Sequence, residues 1–156
     1  MKALVVVDMQ EDYIGKISKY KYDDKDLLIQ KINEGIEKYE KDGNLIIYVK
    51  NNRKNYCSNL VTGLNLKSNL IFEKTNSSCY SSIEFCNCLK DNFVHDIKIV
   101  GIDGNCCIKS TAIDATKNNL NVVLQVNLVG VINKIRFIKT LENLKDHLVK
   151  VIIWLV

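Results

Sequence analysis

Apolar residues recur along the chain with two alternating periods, one typical of buried strands and the other of amphipathic helices. The continuous apolar run from Ala3 to Asp8 predicts a central strand that is covered on both faces. Leu28, Ile32 and Ile36 instead recur at helical spacing, and Gly43 follows the end of that helix. The pattern therefore predicts strands and helices in alternation.

Strands are predicted at 3–8, 44–50, 69–73, 96–102, 121–126 and 149–155, and helices at 28–39, 83–92, 106–118 and 135–146. This order specifies a three-layer α/β/α fold, in which a doubly wound parallel sheet of about six strands carries helices on both faces. Segment 51–68 has weak periodicity, so we expect a loop with a short helical piece. No repeat or linker divides the chain, and residues 1–156 are expected to form a single domain.

Composition and charge exclude several classes of function. Hydrophobic residues make up 47% and charged residues 26% of the chain, which is ordinary for a globular protein. The net charge of +4 is spread over scattered lysines, so nucleic-acid binding is not expected. No run reaches the roughly 18 apolar residues of a membrane span, and Asp8 interrupts the first apolar run too early for a signal peptide. We expect a cytoplasmic protein with mostly reduced cysteines and no membrane partner.

The stretch from Ile97 to Thr116 changes from a β-branched strand to a helical rhythm across a glycine-containing turn. Cys106 and Cys107 lie where the helix should begin, so one thiol faces free backbone N–H groups and the positive end of the helix dipole. Both effects favour a thiolate over a thiol. The alternative is that both cysteines are small apolar residues that pack the helix against the sheet.

Polar residues follow three predicted strands where packing alone does not require them. Asp8 and Lys74 lie at the ends of two strands, and Cys107 follows a third. If the three strands are parallel, an acid, a cation and a thiol converge on one edge of the sheet, as covalent catalysis requires. Asp8 and Lys74 are alternatively a structural ion pair, and Asp8 alone is alternatively an acceptor that caps a turn.

Three motifs resemble those of the isochorismatase-like cysteine hydrolases. The opening stretch Val5 to Tyr13, VVVDMQEDY, resembles their first strand motif, in which hydrophobic residues precede DMQxDF. Lys74 with Ser78-Cys79-Tyr80 is similar to their lysine motif. The segment Gly101 to Ala115 resembles their nucleophile motif, GxxxxxCVxxTxxDA, with its threonine at Thr111. The three motifs occur in the family's order and span most of the chain.

The resemblance implies a catalytic triad of Asp8, Lys74 and Cys107. Cys107 would attack a carbonyl carbon, and Asp8 would take the thiol proton and return it to the leaving amine. Lys74 would keep Asp8 ionised and stabilise the thiolate by its charge.

The resemblance also implies groups around the triad. Backbone N–H groups of Asp103 and Cys107 would form an oxyanion hole, beside a cis peptide bond between Ile102 and Asp103. Tyr13 and Tyr80, the aromatic residues of two motifs, are expected to bind substrate. Family habit suggests a homo-oligomer, either a dimer or a tetramer.

The sequence departs from the metal-dependent members of this family. Those that act on nicotinamide use an aspartate, a histidine two residues on, and a further histidine, where this chain has Val49 to Arg53. Its only histidines are His95 and His147, so we expect neither a metal nor another cofactor. Cys86 and Cys88 could suggest zinc, but helical spacing places them on different faces.

The sequence thus predicts a metal-independent cysteine amidohydrolase that cleaves a small amide or ureido substrate through a thioester. The alternative is a non-catalytic binding or interaction domain with the same fold, which the short chain and divergent tail would suit. A third hypothesis is a redox thiol protein. The remaining cysteines have no assigned role: Cys57, Cys79, Cys86, Cys88 and Cys106.

Overall fold

A computed structural model describes residues 1–53 and 57–153 of the protein. Its strands are β1 (Lys2–Val7), β2 (Leu45–Asn51), β3 (Ile71–Lys74), β4 (Asp96–Gly101), β5 (Asn121–Val129) and β6 (Lys150–Ile152). Its helices are α1 (Glu11–Ile14), α2 (Lys25–Lys41), α3 (Ile83–Asp91), α4 (Cys107–Lys117) and α5 (Lys134–Asp146). A single 3-10 turn, Cys79–Ser81, precedes α3.

The six strands form one sheet in the order β3-β2-β1-β4-β5-β6, and every neighbouring pair is parallel. This arrangement confirms the predicted fold. The chain runs outward from β1 to β3 and then returns to β4 on the other side of β1. The strand order therefore reverses between β1 and β4, where open α/β sheets form a crevice at the carboxyl ends of their strands.

Helices cover both faces of the sheet. Ala3, Val5 and Val7 of β1 face a core shared with α3, α4 and α5, whereas Leu4 and Val6 face a core shared with α2. All five side chains are fully buried. This two-sided burial explains why the first strand is continuously apolar rather than alternating.

Segment 57–68 contains no helix, so the predicted short helical piece is wrong for these residues, while 54–56 lie outside the described residues. Its N–H groups donate to side chains of other elements instead. Thr62 donates to the Glu11 carboxylate at 2.6 Å, and Asn65 donates to Asn33 Oδ1 at 2.8 Å. Such long-range partners leave no trace in local periodicity.

The last strand is shorter than predicted. It ends at Ile152, Ile153 is not part of it, and residues 154–156 lie outside the described residues.

In the described part of the chain, no helix has the length and apolarity that crossing a membrane would need.

Candidate active site

Three predicted side chains meet at the carboxyl edge of the sheet. Asp8 directly follows β1, Lys74 is the last residue of β3, and Cys107 is the first residue of α4. The Lys74 ammonium nitrogen lies 3.2 Å from Asp8 Oδ2 and 3.3 Å from Cys107 Sγ. One cation therefore contacts both the acid and the thiol.

Lys74 is fully buried, which is costly for an ammonium group unless its donors are used. Besides Asp8 and Cys107, it donates to the carbonyl oxygen of Asn76 at 3.0 Å. An ammonium has three N–H donors, so all three are occupied. The group is therefore held in place from three sides.

Asp8 is buried, and only one of its carboxylate oxygens has a hydrogen-bond partner in the described residues. Its backbone lies in the left-handed region at φ 53°, and its N–H donates to the Val49 carbonyl oxygen at 2.9 Å. Burial raises the pKa of Asp8 above its ordinary value, although the charge of Lys74 and the contact with Cys107 oppose this. The carboxylate therefore holds a proton more readily than an exposed aspartate does.

Cys107 begins α4 as the sequence predicts, with Cys106 at the N-cap position. The structure does not favour the thiolate that the sequence predicts. Burial and, secondarily, the nearby Asp8 charge raise the pKa of Cys107 to about 12, and Lys74 only partly offsets them. Burial therefore favours the protonated thiol, in opposition to the effect expected of the helix terminus. For this sulfur to act as a nucleophile, a neighbouring group must accept the thiol proton.

The backbone between β4 and α4 forms the turn that leads into Cys107. The peptide bond between Ile102 and Asp103 is cis. The Asp103 carbonyl oxygen accepts hydrogen bonds from the N–H groups of Cys106 and Ile108, both at 3.1 Å. Within the described residues, the N–H groups of Asp103 and Cys107 donate to no protein acceptor. These are the two donors that the resemblance assigns to an oxyanion hole.

Gly101 allows β4 to approach β1 closely before this turn. Its φ is 116°, and a Cβ atom there would lie 2.2 Å from the Val7 carbonyl oxygen. Only glycine fits both conditions. This close approach places the residue after β1, Asp8, next to the turn that carries Cys107.

A cavity of about 620 Å³ opens beside these side chains, and both Asp8 and Cys107 line it. This size suits a small molecule. Three tyrosines form part of its wall: Tyr13, Tyr20 and Tyr22. Tyr13 and Tyr20 contact each other with ring centroids 5.7 Å apart. Tyr13, which is expected to bind substrate, therefore lies in the wall of this cavity.

Tyr80 does not lie in this cavity, and the structure gives no support to its predicted role in binding substrate. Its ring instead packs edge-on against Phe85, with centroids 5.6 Å apart, at the border of the core. The physical reason lies one residue earlier. Cys79 is completely buried, and its N–H donates to Thr111 Oγ1 at 3.0 Å, which turns Tyr80 toward α3.

The bond between Cys79 and Thr111 explains the threonine of the third motif. Thr111 is a fully buried residue of α4, one turn after Cys107. It accepts from the segment that follows Lys74, and so ties the lysine segment to the nucleophile helix. Thr111 therefore positions the segment after Lys74 against the helix that begins with Cys107.

Two arginines that sequence reasoning did not assign also line the cavity. Arg53 follows β2 and donates to Ser77 Oγ at 2.8 Å, and Arg136 lies in the first turn of α5. The small number of arginines in the chain is a sequence signal that could have singled out these two positions. The chain has 22 basic residues, and Arg53 and Arg136 are its only arginines.

The residues near the cavity do not fit a metal ion. Asn51 and Arg53 lie at the end of β2, where a metal-binding member would have an aspartate and a histidine. A guanidinium cannot ligate a cation, and it opposes the binding of one. His95 lies at the other end of the sheet, before β4, and His147 bonds to the Asn143 carbonyl oxygen. The described residues contain no cluster of metal-ligating side chains.

A family model named isochorismatase domain matches residues 2–154 of the chain. The protein belongs to the isochorismatase family of hydrolases. This confirms the family resemblance of the three motifs. No curated protein matches the chain by sequence at a significant level.

Solved structures of isochorismatase-like proteins share the fold. The pyrazinamidase of Pyrococcus horikoshii, in complex with zinc, superposes with a TM-score of 0.87 at 23% identity, covering 98% of this chain and 99% of the other. An isochorismatase-like hydrolase of Alkaliphilus metalliredigens gives 0.86 at 17% identity, covering 97% and 94%. N-carbamoylsarcosine amidase of Thermoplasma acidophilum gives 0.77 at 19%, covering 96% and 94%. At these identities the likeness concerns the fold alone.

Proposed function

We propose that this family member is a metal-independent cysteine amidohydrolase that cleaves the C–N bond of a small amide or ureido compound. The observation that carries the proposal is the Lys74 ammonium, which contacts both the Asp8 carboxylate and the Cys107 thiol beneath a cavity of about 620 Å³. A structural ion pair alone would need neither the thiol nor the cavity.

In the first half-reaction, Cys107 Sγ bonds to the carbonyl carbon while its proton moves to Asp8. The raised pKa of Asp8 makes this carboxylate a better base than an exposed aspartate. The C–N bond then breaks, and Asp8 gives the proton to the leaving nitrogen. The product is ammonia or an amine, and the acyl group remains on Cys107 as a thioester.

In the second half-reaction, water attacks the thioester carbon and Asp8 accepts its proton. The carbon–sulfur bond breaks, and the proton returns to Cys107. Lys74 stays charged throughout and stabilises the anionic sulfur as it forms, since its nitrogen lies 3.3 Å from Sγ. Each turnover therefore returns Asp8 and Cys107 to their starting protonation states.

The negative oxygen of each tetrahedral intermediate needs donors. The N–H groups of Asp103 and Cys107 support this role, because they have no acceptor among the described residues. Cys107 also lies at the N-terminus of α4, an 11-residue helix whose dipole favours negative charge there. Each well-placed donor contributes about 3 kcal/mol to such a transition state.

The test is a comparison of Cys107→Ala with the wild type on a panel of primary amides and ureido acids, measured by ammonia release. We expect kcat/KM to fall at least about a thousandfold, because the covalent route is lost. Cys86→Ala, a thiol on α3 outside the cavity, controls for loss of a cysteine. Acid-quenched wild type should carry an acyl adduct on Cys107, detectable by mass spectrometry.

Unchanged hydrolysis by Cys107→Ala would contradict the proposal. A wild-type protein that hydrolyses no amide and forms no adduct would favour the binding-domain alternative instead.

A further inference from the structure

Two aspartates and two arginines line the cavity, and they differ in the protein partners they have. Asp8 is already paired with Lys74 at 3.2 Å. The two carboxylate oxygens of Asp103 accept the N–H groups of Asn105 at 2.8 Å and Ile132 at 3.2 Å. Asp103 thus has a protein donor on each oxygen, and Asp8 is paired with Lys74 through Oδ2.

The two arginines of the cavity have no acidic partner in the described residues, where none of the four ion pairs includes them. Among the described residues, the Arg53 guanidinium donates to the Ser77 hydroxyl at 2.8 Å. Arg136 is fixed through its backbone, since its N–H donates to the N-cap side chain of Asn133 at 2.9 Å. Both arginines are exposed residues that line the cavity, so a ligand there can reach them.

The positive field of Arg53 extends across the cavity. Its charge lowers the pKa of Asp8 and of Tyr13, against the larger effect of burial on each. A guanidinium matches a planar carboxylate with two parallel hydrogen bonds, which lysine cannot do. In a chain with 22 basic residues, both arginines line this one cavity.

We propose that Arg53 and Arg136 bind a carboxylate of the substrate, so that the enzyme acts on amides or ureides that also carry a carboxylic acid. This inference rests on the proposed function and adds a substrate class to it. A singly charged group fits better than a phosphate dianion, because the carboxylates of Asp8 and Asp103 also line the cavity and repel added negative charge.

Matched probe pairs test the charge preference directly. Succinamate and succinamide differ only in a carboxylate against an amide, as do N-carbamoylglycine and N-carbamoylglycinamide. We expect the acid of a pair to have a kcat/KM about 10- to 100-fold higher, after allowing for the second amide of succinamide. Equal rates on both members of every pair would overturn the inference.

Single substitutions assign the preference to residues. Arg53→Gln and Arg136→Gln should each reduce the preference for the acid about tenfold, mainly through KM, and Arg136→Lys should retain part of it. Lys139→Gln is the control, since it removes the same charge from an exposed position on α5 outside the cavity. A preference that survives both Gln substitutions would contradict the assignment.

Calorimetry on Cys107→Ala separates this inference from the proposed function. The variant should bind succinamate or N-carbamoylglycine at least about tenfold more tightly than the neutral partner, and added salt should weaken that difference. This result would support the carboxylate site even if the wild type hydrolysed nothing. Equal binding of acid and amide, or binding of neither, would overturn it.

Discussion

Two buried thiols occupy neighbouring regions of the molecule but differ in what surrounds them. Cys79 lies in the core under α4, fully buried, with Thr111 as its hydrogen-bonding neighbour. Cys107 lies at the floor of the cavity, 8% exposed, beside Asp8 and Lys74. Burial raises the pKa of each thiol to about 12.

The comparison shows that a perturbed pKa does not by itself identify a nucleophile. Desolvation acts on both sulfurs in the same way. What differs is a proton acceptor, a cation and access for a ligand, and only the region around Cys107 has all three. Substitutions of Asp8, Lys74, Cys79 and Cys107, together with a titration, test this distinction.

Asp8→Asn should have the largest effect, because it removes the acceptor but keeps the shape. We expect kcat/KM to fall about 10²- to 10⁴-fold. Iodoacetamide should also label Cys107 more slowly, while the exposed Cys106 reacts as before and serves as an internal reference. Asp114→Asn, which affects only a long exposed pair with Lys117, is the matched control. Labelling of Cys107 that is independent of Asp8 would remove the distinction from Cys79.

Lys74→Met should destabilise the protein strongly, because it leaves the Asp8 carboxylate buried without a cation. We expect a loss of about 3–5 kcal/mol in the free energy of unfolding at neutral pH, measured by urea denaturation. The variant should raise the pKa of Asp8 further, so the loss should shrink as acid protonates the carboxylate. Cys79→Ala should cost only about 1 kcal/mol.

The matched control is Lys67→Met, which breaks the exposed pair with Glu40 at 3.2 Å. Its cost should be below about 1 kcal/mol. If Lys74→Met were no more costly than this control, the buried ion pair would not be needed for stability.

The alkaline dependence of stability should show the smallest effect. An unfolded thiol titrates near 9, whereas the folded Cys79 titrates near 12. Between these values the unfolded state releases a proton that the folded state keeps, so stability present below pH 9 is lost as pH rises. Cys79→Ala should make this loss less steep in urea unfolding from pH 8 upward, roughly by one proton.

Cys107→Ala in the same titration sharpens the comparison. If it flattens the curve as Cys79→Ala does, the folded protein also keeps a proton on Cys107, or on the pair that Cys107 forms with Asp8. If Cys107→Ala leaves the slope as in the wild type, Cys107 and Asp8 together keep no extra proton in the folded state, and Cys107 is a thiolate.

Local sequence patterns predicted the strands that reach the core and the three ends that carry Asp8, Lys74 and Cys107. These features depend on period and polarity, which the sequence records directly. The four-residue helix α1 was missed because it is too short to establish a helical period. The conformation of 57–68 was missed because its partners, such as Asn33, are distant in sequence.

The parts of the site that were not predicted depend on tertiary surroundings. The helix terminus argued for a thiolate at Cys107, but only the folded chain shows how deeply the sulfur is buried. Tyr80 is part of the lysine motif, but its ring packs outside the cavity because the neighbouring Cys79 is buried in the core. Arg53 and Arg136 lie 83 positions apart in sequence, and no periodicity connects them.

The left-handed backbone at Asp8, with φ 53°, limits what the first strand can end with. Aspartate and asparagine enter this region more easily than other residues with a side chain, and branched residues do so least. Replacement by Val or Ile would therefore strain the main chain as well as remove the carboxylate. In related sequences we therefore expect few residue types at this position. Where catalysis is lost, Asn and Gly should replace the aspartate.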